Sequence, residues 1–474
     1  MVATAFLMAA CGGGDDGSSA SPSSSVTAAP LSSTVTTAPP TTVPETTPIV
    51  IDTDLAADDL VAILYLLSSP AVEIKAITVS GTGEAHCTPG VSIAAGLVEL
   101  VGRSGIQVSC GRETPLQGSH VFPDDWRTRA DGAYGLTLPD GDAPASTPAP
   151  KLLADLIAGS PTPMTVLTLG PLTNLAEALE GDPGLAAKLG AVYVMGGAVD
   201  ADGNVGPESG MDNVGAEWNI YVDPHAAAVV FEAAETLVLV SLDATNKAPV
   251  TPDFVDLLAA NAHTPAALAA RDLVHLPQTP YLWDTLTALV LTEARVATNY
   301  ATERLVVVEE EGRESGRLKR SDTGAAIQVA LDPDMARATD LLLRTLDGVA
   351  PNEPLVTPTT VAPLASATIR YDGTTCSYDG PPNLPAGPIT VTFEKPGDRV
   401  AIGALVRVKD GATFEELVAW VKAHPGTEQP PMVDAAEAIE LRSTVTLAAG
   451  TWAAACLDGG RNLGVLAPLP IPVG

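Results

Sequence analysis

The sequence predicts an α/β protein with a mostly parallel central sheet flanked by helices, followed by a C-terminal β-sandwich domain. Three observations predict this. Over residues 48–349, short β-branched segments with almost no polar interruption alternate with stretches of helical period, as expected of strands buried on both faces and the helices that connect them. Over residues 365–474, apolar and polar residues alternate in segments separated by Gly and Pro, as in half-buried antiparallel strands. Between these regions, residues 350–364 carry "PNEPLVTPTTVAP", a Pro- and Thr-rich run that reads as a linker.

Taken in order, residues 1–11 contain the apolar run "TAFLMAAC". It is too short to span a membrane and reads as an export signal. It looks like a bacterial lipobox, which implies cleavage before Cys11 and lipidation of its thiol, although no Lys or Arg precedes the run. The protein is therefore expected to be an exported cell-surface lipoprotein that meets the bacterial membrane only through its lipid. Residues 12–47 are almost all Gly, Ser, Thr, Ala, Pro and Asp. They cannot bury enough apolar surface to fold and are expected to form a disordered tether.

In the α/β region, "PIVID", "EIKAITVS", "MTVLTL", "AVYVMGG" and "TLVLVSLD" read as strands, and "DDLVAILYLL", "VSIAAGLVELVG", "PLTNLAEALEG" and "DPHAAAVVFEAA" as helices. Asp223-Pro224 and Asp332-Pro333 each read as an N-cap followed by Pro at the first helical position. "EEEGRESGRLKR", residues 309–320, reads as a solvated hairpin. The C-terminal region adds "ATIRYDG", "PITVTFE", "VAIGALVRV" and "STVTLAAGTWAAACL" as strands and "TFEELVAWVKAH" as a helix. Its single histidine, His424, excludes a blue-copper site, which needs two. An accessory or binding module fits better.

The chain has 5 cysteines. With Cys11 set aside, four remain, an even number that suits disulfides in an exported protein. Three pairings are open, and sequence proximity favours Cys87–Cys110 and Cys376–Cys456. A net charge of −32 argues against binding to polymeric nucleic acid, which requires a basic face. A homo-oligomer is left open.

The chemistry is concentrated in "IVIDTDLAADDLVAILYLL", residues 49–67. Asp52, Asp54, Asp58 and Asp59 stand between an apolar strand and an apolar helix, where the ligand crevice of a parallel sheet forms. Helix capping accounts for one or two aspartates, not four. Clustered carboxylates beside a core need a cation or raised pKa values. With no His or Cys in the cluster, a hard ion such as Ca²⁺ fits the donor set.

"DTDLAADD" resembles the N-terminal signature DTDxGxDD of the inosine–uridine nucleoside hydrolase family. "LTLGPLTNLAEAL" (167–179), "VYVMGGAVDADGNV" with "AEWNIYVDPHAAAVVF" (216–231), and "LWDTLTALVL" (282–291) resemble its later blocks, in order. The resemblance covers residues 48–349. It implies the nucleoside hydrolase fold and cleavage of a small-molecule nucleoside substrate, purine nucleosides preferred. It also implies Ca²⁺ held by Asp54, Asp59, Asp284 and the backbone carbonyl of Thr173. Asp54 would take the proton of the attacking water. Asp58, Glu217 and Asn219 would hold ribose hydroxyls, together with Asn204, for which Asn213 competes. Asp52 would orient the loop.

Departures from the family pattern sharpen the expectations. Leu55 and Ala56 replace the usual Pro and Gly, and Ala56 resists a positive φ. Thr82 stands where many members carry a ribose-contacting Asn. Trp283 stands where many place a His that protonates the base, and so resembles the purine-specific branch, in which tryptophans stack on the purine; Trp126 would form the opposite wall. Glu84 and His86 in "GEAHC" are further candidates to face the base. Asn246 and Lys247 would lie at the rim. A second class of function, a nucleoside- or ribose-binding surface lipoprotein with weakened turnover, remains open beside the hydrolase.

Overall fold

The computed structural model describes residues 35–36, 46–207, 210–275, 279–356, 366–384, 386–395, 401–424, 430–439, 442–458, 465–467 and 470–473. The lipobox, Cys11 and most of the tether lie outside the described residues. The chain divides into two compact units, Met1–Leu355 and Val356–Gly474.

The first unit is built on one sheet. Its elements are β1 (Val35–Thr36), β2 (Thr47–Thr53), α1 (Ala57–Ser68), β3 (Val72–Val79), α2 (Cys87–Leu100), β4 (Gln107–Cys110), α3 (Asp124–Asp131), α4 (Ala149–Gly159), β5 (Met164–Thr168), α5 (Thr173–Gly181), β6 (Leu189–Met195), α6 (Trp218–Val222), α7 (Pro224–Ala233), β7 (Thr236–Val240), α8 (Leu242–Thr245), α9 (Pro252–Ala260), α10 (Pro265–Val274), α11 (Trp283–Thr292), β8 (Tyr300–Val307), β9 (Leu318–Arg320), β10 (Ala325–Ala330) and α12 (Met335–Asp347). The strand order is β1-β8-β10-β7-β6-β5-β2-β3-β4, with β9 beside β8. From β10 to β4 every pairing is parallel, whereas β8 joins β10 and β9 antiparallel.

Two expectations change at the edges of this unit. β2 begins at Thr47, and Val35–Thr36 pairs with Ala301 and Tyr300, so ordered backbone enters the stretch expected to be tether. The Asp332-Pro333 pair does not cap a helix. Asp334 is the N-cap of α12, accepting from the N–H of Arg337, while Asp332 pairs with Lys247 at 2.8 Å. Asp223 does cap α7, accepting from Ala226 N–H with Pro224 at the first helical position.

Near-continuous apolar strands arise because both faces are covered. Along β2, Ile49 and Ile51 enter one core and Val50 the other, as the two-residue strand period requires. Full burial of each such side chain is worth about 1.5–3 kcal/mol. Helix α1 is buried from Leu60 through Leu67 and packs on α10 and α11, so it reads as apolar all round rather than amphipathic. The Cys87–Cys110 disulfide fastens the start of α2 to the end of β4.

The strand order places the site. From β2 the chain builds outward on one side through β3 and β4, then returns to build β5, β6 and β7 on the other. The direction reverses between β2 and β5, and ligand crevices open beyond the carboxyl ends of strands at such a switch point. Asp54 follows β2 and Leu169 follows β5.

In the second unit, β11 (Ser366–Tyr371), β12 (Cys376–Asp379), β13 (Gly387–Glu394) and β16 (Arg442–Leu447) form one sheet. β14 (Ala401–Val408), β15 (Val433–Ile439), β17 (Gly450–Asp458), β18 (Val465–Leu466) and β19 (Ile471–Val473) form another. Ile369, Val391 and Phe393 meet Leu405, Trp452 and Ala454 in the core between the sheets, where Cys376 and Cys456 are joined. The alternate residues Ala453 and Ala455 pack on Leu417 and Val421 of α13 (Phe414–Ala423). A capping box between Thr413 and Glu416 starts that helix.

Candidate active site

A cavity of about 370 Å³ opens at the switch point. Its floor is acidic. The chain leaves β2 through Leu55, which takes the left-handed conformation at φ 63°, while Ala56 is extended at φ −59° and ψ 165°. The strain expected at Ala56 therefore falls one residue earlier, on a fully buried leucine. Thr53 helps to hold the turn: its Oγ1 accepts from the N–H of Leu55 at 3.1 Å and donates to Asp59. No side chain caps α1, so Asp58 and Asp59 are not spent on the helix end.

Both aspartates border the cavity with Asp54 and Asp284. One carboxylate oxygen from each of Asp58, Asp59 and Asp284 lies within 4.8 Å of the others. Asp58 Oδ2 also accepts the backbone N–H of Asp284 at 3.0 Å. Asp54 Oδ2 accepts the N–H of Glu84 at 3.2 Å. Gly83 and Gly170 close on Asp54, since a Cβ at either position would stand 2.1 or 2.7 Å from Asp54 Cβ.

Burial first, then neighbouring negative charge, holds the Asp54 and Asp284 carboxyls well above the ordinary range and pushes Asp59 up to about 8. Asp59 Oδ2 and Asp284 Oδ1 are buried with no hydrogen-bond partner among the described residues. Hard carboxylate oxygens, mutually repelling and partly unpartnered, fit a divalent oxygen-liking cation, which would remove both penalties. Beneath them Asp52 accepts from Thr78 Oγ1 at 2.7 Å and from Asn174 Nδ2 at 2.8 Å. Asn174 thus ties α5 to the acidic loop. The "LTN" run was the signal for it.

A second wall carries Glu217, Asn219 and Asn204. Glu217 is the N-cap of the short helix α6, and its Oε2 accepts from the N–H groups of Gly197 at 2.9 Å and Asn219 at 3.0 Å. Burial outweighs these hydrogen bonds and pushes its carboxyl up to about 7. Asn219 donates to the Leu169 carbonyl at 2.9 Å, and Asn204 accepts from Trp218 N–H at 3.1 Å. Asn213 donates to the Ser315 carbonyl and does not line the cavity, so of the two competing residues Asn204 is the one that borders it.

The remaining walls are aromatic. Phe122, Trp126 and Trp218 form one cluster, with Phe122 stacked on Trp218 at 5.0 Å and Trp126 tilted against it at 5.3 Å. Trp283, the first residue of α11, stands beside Asp284 and packs against Tyr281 at 5.4 Å. Trp126 and Trp283 both border the cavity, as expected.

Thr82 and Thr173 do not line the cavity. Their hydroxyls meet at 3.0 Å, and Thr173 donates on to Asp223 at 2.9 Å, so both are spent inside the structure. Leu169, four residues before Thr173, lines the cavity instead, because β5 ends at Thr168. Of the "GEAHC" pair, Glu84 lines the cavity, with its carboxyl pushed by burial to about 7. His86 is turned to Asp131, 2.8 Å away. Lys247 is occupied by Asp332 and is not part of the wall. Arg129 and Tyr134 also line the cavity and were not singled out in the sequence. Arg129 follows Trp126 by three residues in α3, a helical spacing that could have found it.

A family model described as inosine–uridine preferring nucleoside hydrolase matches residues 49–340. The pyrimidine-specific ribonucleoside hydrolase RihA of Salmonella newport is 36% identical over 206 residues, covering 43% of this chain and 62% of that protein. The protein of the same name from Citrobacter koseri is 33% identical over 227 residues, 47% of this chain and 69% of its own length. The chain thus spans less than two thirds of the Salmonella relative. Among solved structures, the inosine–uridine preferring nucleoside hydrolase of Bacillus anthracis matches 64% of this chain and 99% of its own, at 28% identity and a TM-score of 0.57.

Proposed function

The chain belongs to the inosine–uridine preferring nucleoside hydrolase family, and from that premise we propose that it hydrolyses the N-glycosidic bond of ribonucleosides to free base and ribose. The observation that carries this reading is one cavity with buried carboxylates on its floor and aromatic rings on its walls. Such a site suits a sugar held by oxygen donors and a flat base held by π surfaces.

Asp54, Asp59 and Asp284 would hold a divalent cation, which we propose to be Ca²⁺, with Asp58 in reach. When bound, such an ion makes a nearby water easier to deprotonate. Asp54 accepts that water's proton. Asp58, Glu217 and Asn219 hold the ribose hydroxyls. Departure of the base leaves an oxocarbenium-like sugar, and the Asp58 and Glu217 carboxylates place negative charge beside it in a site shielded from water, where such charge counts most. Phe122, Trp126 and Trp218 exclude solvent from the reacting carbon.

We further propose that purine nucleosides are preferred. Trp283 borders the cavity, and no histidine lines it among the described residues, so activation of the base falls to stacking and to protons from solvent. The names of the Salmonella and Citrobacter relatives favour the competing reading, a preference for uridine and cytidine. Ribose release from inosine, guanosine, uridine and cytidine tests both. Turnover led by inosine or guanosine supports the first reading, turnover led by uridine or cytidine the second, and no release from any nucleoside overturns the hydrolase assignment.

The exported, lipid-anchored location is likewise proposed, on the lipobox-like run ending at Cys11. The Cys87–Cys110 and Cys376–Cys456 disulfides suit an oxidising compartment.

A further inference from the structure

The cavity holds charged groups that the reaction as described does not use. Arg129 lines the cavity from α3, and its Nε is buried without a hydrogen-bond partner among the described residues. Its Nη1 is tied to Asp125 at 2.9 Å, which fixes one side of the guanidinium plane. Glu84 lines the same cavity and accepts the hydroxyl of Tyr134 at 2.5 Å. Tyr134 is held there by unusual backbone: it and Ala133 are both non-glycine residues in the left-handed region, at φ 52° and 48°. Such strain persists only where surrounding structure over-determines it, and it concentrates at functional sites. The Arg129 side chain as a whole keeps 36% of its exposure and lines the cavity, so its positive charge is open to a ligand acceptor there.

Given the nucleoside reading, on which this rests, we propose that Arg129 binds a carbonyl oxygen of the departing base while Glu84, positioned by Tyr134, accepts the adjacent ring N–H, so that the site selects bases with a C(=O)–N–H edge. Hypoxanthine and guanine carry that edge; adenine carries an amino group and a bare ring nitrogen in its place. The chemistry gives the choice a catalytic consequence. As the C1′–N bond breaks, its electron pair passes into the base, the water oxygen bonds to C1′, and the water's proton goes to Asp54. The base then takes a proton from solvent. In a carbonyl-bearing base the incoming negative charge is shared with the exocyclic oxygen, next to the Arg129 guanidinium. A fixed positive charge is most effective where charge develops. Adenine has no such oxygen, so Arg129 gives it no comparable help.

The test is kcat/KM for inosine and adenosine with the full chain in the presence of Ca²⁺, for wild type, Arg129→Met and Arg129→Lys. Equilibrium binding of free hypoxanthine and adenine to the same proteins is the readout that needs no turnover. Wild type is expected to favour inosine over adenosine by about 10- to 100-fold, the span of one charge-assisted hydrogen bond. Arg129→Met should bring that ratio near unity by losing inosine turnover, Arg129→Lys should restore part of it, and hypoxanthine binding should follow the same order. An unchanged ratio in Arg129→Met, or a wild type indifferent to the two substrates, overturns the proposal. If no nucleoside is cleaved, the hydrolase reading fails on its own, and the hypoxanthine-to-adenine binding ratio in wild type and Arg129→Met still decides this one.

Discussion

The Asp58 carboxylate accepts the backbone N–H of Asp284 at 3.0 Å, joining the first turn of α1 to the first turn of α11 across 226 positions of sequence. That bond brings two aspartates from opposite ends of the domain into one acidic floor, and it fixes Trp283, one residue before Asp284, at the cavity wall.

The acidic floor predicts opposite signs for stability with and without a cation. Burial and neighbouring carboxylates push Asp59 up to about 8, so at neutral pH folding without a cation must protonate a group that is ionised in the unfolded chain. Asp59→Asn needs no such proton, and the cation-free variant should melt above cation-free wild type. The same change removes a proposed cation ligand, so the rise in Tm on adding Ca²⁺ should shrink. At a hundredfold excess of ligand over Kd, that rise corresponds to about 2.7 kcal/mol in wild type. Thermal melts of both proteins with Ca²⁺ and with chelator check this. An Asp59→Asn protein that melts lower in chelator and keeps the full Ca²⁺ shift would contradict it.

Glu217 predicts a pH dependence. Burial raises its carboxyl from 4.5 to about 7 in the folded protein. A raised carboxyl favours folding while protonated, so its contribution is complete below pH 4.5 and is lost as pH rises to about 7. Glu217→Gln cannot lose it. The difference in unfolding free energy, variant minus wild type, should therefore increase by about 3 kcal/mol between pH 4.5 and pH 8. The same variant should raise KM, because Glu217 lines the cavity and is proposed to hold a ribose hydroxyl. Denaturant melts at the two pH values test the stability claim, and a difference independent of pH would refute it.

Trp283 predicts a substrate effect separable from cation binding. Base–aromatic stacking is worth about 1–3 kcal/mol, which is roughly 5- to 150-fold in rate if realised in the transition state. Trp283→Ala should lower kcat on inosine and guanosine by that order and leave the Ca²⁺-dependent rise in Tm intact, since Asp284 stays. Full purine turnover in the variant would reduce Trp283 to a wall.

The lipobox-like run predicts that Cys11→Ser releases the protein from membranes. Equal partition of wild type and variant into the soluble fraction would remove the anchor from the account.

Much of this architecture is legible in the sequence because burial on both faces leaves a strong signature. β2, β3, β5, β6 and β7 have few positions where a polar residue could stand, and they read as apolar runs. The acidic floor is legible because four aspartates between two apolar segments have no ordinary explanation. What depends on the path of a connection is less legible. Arg129 and Tyr134 arrive from the long excursion after β4, where no period reports which side chains turn inward. Thr82 lies in a matching segment, yet its hydroxyl is spent on Thr173. Thr173, expected to offer its backbone carbonyl, sits four residues beyond Leu169, where the chain leaving β5 borders the cavity. The turn after β2 places its demand on Leu55 rather than on Ala56, because strain there is local to one residue and the sequence pattern does not report which one bears it. The antiparallel edge formed by β8 and β10 escaped because alternation in short strands does not report direction.

The most direct test of the central claim is ribose release from inosine by the full chain before chelation, after exhaustive chelation, and after Ca²⁺ is restored. Buried carboxylates on the floor of a nucleoside-sized cavity predict loss of turnover on chelation and its return with Ca²⁺, with no return in Asp284→Asn. Turnover that continues undiminished after chelation would contradict the account.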